Sequence, residues 1–231
     1  MQLSKRLMAV ASMVTEGSTL ADVGTDHGYI PIYLTEQKKI RHAIAMDINR
    51  GPLERAKEHI RMYGLGEYIE IRRSDGLEKL SPGEAQAVVI AGMGGALIRR
   101  ILKQGENVLG SVRELILEPQ SETEQLRRFL LAEGYAIVKE DMVFEDGKFY
   151  PVMKAVHEKQ EYERAEYYRY GKALLLGKHP VLLDYLKREE RILNQIASSL
   201  GQASGGKSIQ RMEEIKQEMQ EVSTALRYYE M

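Results

Sequence analysis

Five small groups of chemically capable residues follow apolar runs between residues 22 and 120. The first is Asp22-Val23-Gly24-Thr25-Asp26-His27-Gly28-Tyr29. Its two glycines flank a tight turn between a strand and a helix, which brings backbone N–H groups and a helix N-terminus close to a ligand. The dinucleotide fingerprint G-x-G-x-x-G uses its middle glycine to admit a pyrophosphate. That glycine is missing here. Asp22 and Asp26 would repel phosphates and attract an ammonium or sulfonium. Both features favour S-adenosyl-L-methionine over NAD. A glycine-rich strand-to-helix turn with no ligand is the plain alternative.

The other clusters fit the same layout. Asp47-Ile48 ends a second strand, where an acid can accept hydrogen bonds from ribose hydroxyls. Ser74-Asp75-Gly76 ends a third, beside the expected adenine position, although Asp-Gly is also a common turn. Ala91-Gly92-Met93-Gly94-Gly95 ends a fourth, and ligands bind outside the carboxyl ends of parallel strands. Its glycines can admit a flat base, or can serve only tight helix packing. Gln120 follows the fifth strand and offers a polar contact in the same cleft.

The elements that must position these residues can be read from periodicity. Strands are predicted at 20–24, 43–47, 68–72, 85–91 and 114–117, and helices at 29–37, 52–63, 96–103 and 122–133. An antiparallel hairpin turns at Asp146-Gly147. This alternation predicts an α/β fold, a mostly parallel sheet of seven strands covered by helices on both faces. The boundary is drawn at residues 1–157 and 158–231. The second segment is helical at 162–176, 180–200 and 209–229. Leu182, Tyr185, Glu189, Ile192, Ile196 and Leu200 form one seam. Ile209, Met212, Ile215, Met219, Val222, Leu226 and Tyr229 form another. Steps of three and four around the loop at Gly201–Gly206 predict an antiparallel coiled-coil hairpin.

Composition sets further bounds. The 231 residues carry 33 basic and 34 acidic side chains, a net charge of −1. Bulk charge therefore cannot hold a polyanion, and any nucleic-acid contact needs a local patch. The chain has no cysteine, which excludes a disulfide framework, a thiolate nucleophile and cysteine-ligated metal. No metal site is expected. Lys5-Arg6 before an apolar run imitates a signal peptide, but Leu3, Leu7, Val10 and Val14 keep helical spacing. No apolar run approaches the length of about 20 residues that spans a bilayer. A cytoplasmic monomer without membrane contact is expected.

Leu3-Ser4-Lys5-Arg6-Leu7, the Ala21–Pro31 run, Gly92-Met93-Gly94-Gly95, Glu118-Pro119-Gln120 and Asp146-Gly147-Lys148-Phe149-Tyr150 together resemble the bacterial tRNA adenine-N1 methyltransferases that modify A22 of the D-arm. The similarity covers nearly the whole chain. It implies a class I methyltransferase fold of Rossmann-like topology, S-adenosyl-L-methionine as donor and N1 of a tRNA adenine as acceptor. The cofactor set is then Asp22, Gly24, Thr25, His27, Gly28, Asp47, Ile48, Ser74, Asp75, Gly76, Ala91, Gly92 and Met93. The Asn/Asp-Pro-Pro-aromatic tetrad of N6-adenine methyltransferases is absent, since Ala91-Gly92-Met93-Gly94 stands in its place.

Methylation at N1 is an in-line displacement, so positioning and electrostatics dominate. N1 lies on the Watson–Crick edge, so the nucleotide must be unpaired or splayed out. Asp26 is the carboxylate expected to offset the developing ring charge, unless it serves only as a helix cap. Tyr29 is expected to stack on or position the base. Gly94, Gly95, Gln120 and Tyr150 are expected at the acceptor, and Arg99, Arg100 and Lys103 near its phosphates. Lys5-Arg6, Arg72-Arg73, Arg127-Arg128 and, on the helical segment, Lys172, Lys178, Lys187, Arg188 and Arg191 are further basic candidates. A Rossmann oxidoreductase and a non-catalytic partner-binding module are the competing readings. Thr25-Asp26-His27 opposes the first, and the intact set of acids and glycines opposes the second.

Overall fold

The computed structural model describes residues 1–200 and 206–230, with side chains up to Leu200 and again from Gln210. Residues 201–205 of the predicted Gly201–Gly206 loop and the side chain of Ile209 lie outside what is described, and Gly206 already belongs to a helix. The chain divides into two compact units, Met1–Glu161 and Tyr162–Met231. The first unit runs past its last strand, and the Gln160 side chain beyond it accepts the Ile137 N–H at 2.9 Å.

In the first unit, β1 (Thr19–Val23), β2 (His42–Asp47), β3 (Ile69–Arg73), β4 (Ala87–Met93) and β5 (Glu114–Pro119) are parallel. β6 (Tyr135–Glu145) and β7 (Lys148–His157) form the antiparallel hairpin. The sheet order is β3-β2-β1-β4-β5-β7-β6, so the winding direction reverses between β1 and β4. Residues of one strand alternate between two cores, as the two-residue period requires. Leu20, Ala43, Ala45, Val89 and Ile116 pack with α1 (Lys5–Met13), α2 (Tyr29–Glu36) and Ile60 of α3 (Arg50–Met62). Ala21, Ile44, Val88, Leu115 and Leu117 pack with α4 (Gly95–Gln104), α5 (Glu106–Leu109) and α6 (Thr123–Ala132). The short α5, bounded by Gly105 and Gly110, has too few residues for periodicity to reveal it.

The first helix is tied down at both ends. Ser4 caps it by accepting the Leu7 N–H. Glu145 accepts the Lys5 and Arg6 N–H groups, an acid at the positive end of the helix dipole. Lys39 Nζ donates to the Ala11 and Ser12 carbonyls at the other end.

The second unit departs from its predicted outline in two ways. The helix expected over 162–176 is instead a π-helical turn (Tyr167–Gly171) followed by the short α7 (Lys172–Leu176). Gly171 lies at φ +95, a value an α-helix does not accommodate. The longer α8 (Pro180–Leu200) and α9 (Gly206–Glu230) run antiparallel, with Tyr229 donating its hydroxyl proton to the His179 carbonyl. On α8 the buried positions are Leu182, Leu186 and Leu193, whereas Ile192 is exposed. The apolar seam is rotated by one residue from Tyr185 and Ile192. Both choices keep steps of three and four, and only the packing partner separates them. On α9 the buried residues are Ile215, Val222, Ala225 and Tyr228.

Candidate active site

The carboxyl ends of β1, β4 and β5 meet where the sheet reverses direction. A cleft of about 300 Å³ opens there, lined by Arg6, Leu7, Asp22, Gly24, Thr25, Asp26, Tyr29, Ile30, Ala91, Gly92 and Gln120. This is the switch point at which open α/β sheets bind ligands.

Asp22, near the end of β1, is buried. Burial pushes its carboxyl up to about 6, the Thr25 hydroxyl offsets part of that, and Asp47 adds to it. No lysine or arginine among the described residues pairs with it. A buried carboxylate with no basic partner can accept a cationic group of a ligand. Gly24 follows at φ +78, and its N–H and that of Thr25 both donate to the Met46 carbonyl of β2. A Cβ on Gly24 would stand 2.0 Å from Met93 Cε. The glycine turn therefore needs the left-handed backbone, and a side chain there would have to displace the Met93 methyl.

His27 and Gly28 are also left-handed, at φ +63 and +68, so two consecutive residues reverse the chain into α2. A non-glycine residue in this region is uncommon and is held by its surroundings. His59 Nδ1 lies 3.0 Å from the His27 carbonyl. The rings of His27, Tyr29 and His59 stack on one another with centroids 5.1–5.7 Å apart. Tyr29 is the exposed face of this stack at the cleft mouth. Asp26 is exposed, and its Oδ1 accepts from Arg55 Nε at 3.2 Å and Nη2 at 2.7 Å. It caps nothing: α2 has no side-chain cap, because Gly28 occupies the N-cap position.

Asp47 accepts the Asn49 N–H, Ile48 is exposed, and the Ser74 N–H donates to the Asp47 carbonyl. Ser74 itself is buried and fastens the turn by donating to the Gly76 carbonyl and accepting the Lys79 N–H. Asp75 and Gly76 follow in that turn, with Gly76 packed on Ile101 at φ +52. These residues end β2 and β3, beside the cleft on the sheet, and are not among its lining residues.

Gly92 forms a bulge at φ +78, where the β4–β5 register shifts. Gly94 and Gly95 do not line the cleft. A Cβ on Gly95 would meet the Ser121 and Glu122 carbonyls at 2.6 and 2.8 Å, so this glycine serves close packing. The basic candidates are mostly engaged elsewhere. Arg99 pairs with Glu122, and Lys103 with Glu106 and Glu133. Arg127 is buried against Glu140, and Arg72 is held by Glu70 and Glu84, so neither forms part of an open basic patch. Lys172 pairs with Glu163 beside the Tyr162 and Tyr167 rings. Arg100 is exposed. The α4 helix keeps its basic residues in register for the surface, but neighbouring acids neutralise two of the three.

A methyltransferase-domain family matches residues 3–153. The tRNA (adenine(22)-N(1))-methyltransferase of Bacillus subtilis (strain 168) is 43% identical over 155 residues, 67% of this chain and 65% of that protein. That match spans just under two thirds of the relative's length. A solved B. subtilis m1A22 tRNA methyltransferase superposes with a TM-score of 0.87 at 34% identity, covering 97% of this chain and 99% of that one. The chain belongs to the bacterial tRNA (m1A22) methyltransferase family. A Streptococcus pneumoniae protein provisionally assigned to the same activity, solved in complex with S-adenosyl-L-methionine, gives 0.88 at 33% identity, covering 97% and 100%. In this family setting the fold is the class I methyltransferase fold, and no metal-holding group of acids and histidines occurs among the described residues.

Three contributors to the cleft, Arg6, Leu7 and Ile30 of α2, escaped the sequence reading as cleft residues. Arg6 and Leu7 reach it from α1, which lies far from the glycine motifs in sequence. Tyr150, expected at the acceptor, is half-buried on β7 with the Arg6 guanidinium 5.2 Å from its ring centroid.

Proposed function

We propose that this chain is an S-adenosyl-L-methionine-dependent tRNA methyltransferase that methylates N1 of adenine 22. The observation that carries the reading is the uncompensated buried carboxylate of Asp22 beside the left-handed Gly24 turn, in a cleft at the sheet's switch point. A cofactor with an ammonium and a sulfonium and no pyrophosphate fits that arrangement. When bound, S-adenosyl-L-methionine supplies a methyl group already activated on sulfur. Asp22, Gly24, Thr25, His27 and Gly28 would hold it from β1, with Asp47, Ile48, Ser74, Asp75 and Gly76 along its nucleoside and Ala91, Gly92 and Met93 opposite.

The chain's own work is then placement. Tyr29, backed by the His27 and His59 rings, offers an exposed aromatic face for a splayed-out adenine. Asp26 stands beside it with Arg55 on Oδ1, leaving Oδ2 to accept from the exocyclic amine and to face the positive charge that develops on the ring. No proton has to leave N1 before attack, so no general base is required. Gln120 lines the same cleft and can contact the base edge. A tRNA substrate implies action in the cytoplasm, and we take the chain to act as a monomer. No described helix is long and apolar enough to cross a membrane.

Labelled methyl transfer to unmodified total tRNA, followed by primer extension, tests the reading. A Watson–Crick-edge methyl stops the polymerase, so the expected result is incorporation with one new stop opposite position 22. Incorporation without a stop would remove N1, and no incorporation would remove the activity.

A further inference from the structure

Arg6 is the one cation among the residues that line the cleft, whose two lining acids are Asp22 and Asp26. It is held with unusual care for an arginine on a helix surface. Its Nη1 donates to Glu118 Oε2 at 2.7 Å, and the Gly92 N–H of the β4 bulge donates to the same oxygen at 2.8 Å. Glu118 is fully buried, and its other oxygen, Oε1, has no hydrogen-bond partner. A Cβ on Gly92 would stand in ordinary contact with Arg6 Nη1, at 3.6 Å, so the guanidinium lies directly against the bulge. The Tyr150 ring supports the guanidinium, and Glu145 fixes the Arg6 backbone N–H. The side chain is 25% exposed. Nε and Nη2 have no partner among the described residues, so a planar donor fork is spare at the cleft.

The nature of the ligand follows from the chemistry. Methylation makes the adenine ring cationic, so a guanidinium against the ring would oppose the reaction. A phosphodiester takes an arginine fork in two parallel hydrogen bonds, and Glu118 holds the fork in place before binding, which lowers the entropy lost on contact. We infer that Arg6 binds the phosphate of the nucleotide to be methylated, with Glu118 as its positioning residue. This rests on the tRNA methyltransferase reading.

The salt dependence of kcat/KM for tRNA tests it. Arg6→Gln alone would strand the buried Glu118 charge and could unfold the chain, so the informative variant is Arg6→Gln combined with Glu118→Gln. It should lower kcat/KM about 10-fold or more at moderate salt and flatten the slope of log kcat/KM against log salt by roughly 0.7–1. Its affinity for S-adenosylhomocysteine should stay at the wild-type value. Glu118→Gln alone should keep the wild-type slope and raise KM for tRNA a few-fold. An unchanged slope in the double variant overturns the phosphate assignment, as does a loss of turnover at saturating tRNA with the slope intact, which would mean a base contact. A wild-type KM in Glu118→Gln overturns the positioning role. If the wild-type chain itself transfers no methyl to tRNA, the functional reading and this inference fall together; with wild-type transfer intact, only this one is at stake.

Discussion

Burial holds the Asp22 carboxyl at about 6 against an ordinary 3.8. A folded-state value above the unfolded one means that the folded chain binds this proton more tightly. The contribution to stability is therefore fully present below about pH 4 and is lost as pH rises towards 6 and beyond. Near neutrality the ionised group costs the cofactor-free chain about 3 kcal/mol. Asp22→Asn should thus raise the melting temperature of the free protein at pH 7 while weakening S-adenosylhomocysteine binding at least 10-fold. In the wild type, affinity for that ligand should rise between about pH 5 and 7. Calorimetric titration over that range checks the direction, and a pH-independent affinity would exclude Asp22 as the cation partner. Asp26 behaves differently because it is exposed and already paired with Arg55. Asp26→Ala should leave thermal stability within about 1 kcal/mol and lower turnover at saturating cofactor roughly 100-fold. Near-normal turnover in the folded variant would remove it from catalysis.

The glycines at the strand ends look alike in sequence, and the elements around them separate their roles. Gly24 needs a left-handed backbone in the turn after β1, against Met93. Gly95 sits at ordinary φ under the carbonyls of Ser121 and Glu122, where α4 meets the start of α6. Gly95→Ala should cost about 1–3 kcal/mol and spare ligand affinity in what remains folded. Gly24→Ala should lower ligand affinity by more than its loss of stability explains. Thermal shift with and without S-adenosylhomocysteine distinguishes the two, and equal behaviour of both variants would contradict this division. The helices of the second unit carry a related lesson. A heptad seam through Tyr185 and Ile192 and one through Leu186 and Leu193 satisfy the same spacing, and packing against α9 selects the latter.

At the scale of the whole chain, a net charge of −1 conceals how the basic residues are spent. The sequence predicted phosphate contacts from Arg99, Arg100 and Lys103 beside the acceptor. In the first unit Arg72, Arg99, Lys103 and Arg127 are instead engaged by acids away from the cleft, and Arg6, itself paired with Glu118, is the cation among the lining residues. Sequence order cannot reveal this, because Arg99 meets Glu122 and Arg127 meets Glu140 only after the sheet has assembled. We propose that the helical second unit, where Lys178, Lys187, Arg188 and Arg191 are basic candidates, helps to grip tRNA. Removing residues 162–231 should then leave S-adenosylhomocysteine binding within about 3-fold of the full chain and abolish methyl transfer to tRNA. Transfer by residues 1–161 at the full-chain rate would dismiss that role.

The alternation of apolar strands with amphipathic helices determined the α/β architecture, because each short apolar run had one place to be buried. The Asp-x-Gly-x-x-x-Gly turn likewise determined the position and charge of the cofactor end of the cleft, since that turn is local in the chain. The tertiary structure decided which side chains complete the site. Arg6 and Glu118 are far apart in sequence and meet at 2.7 Å because α1 packs across the sheet to β5 and the hairpin. It also decided which glycines line the cleft and which face a neighbouring carbonyl. Those distinctions are contacts between distant segments, and no local spacing records them.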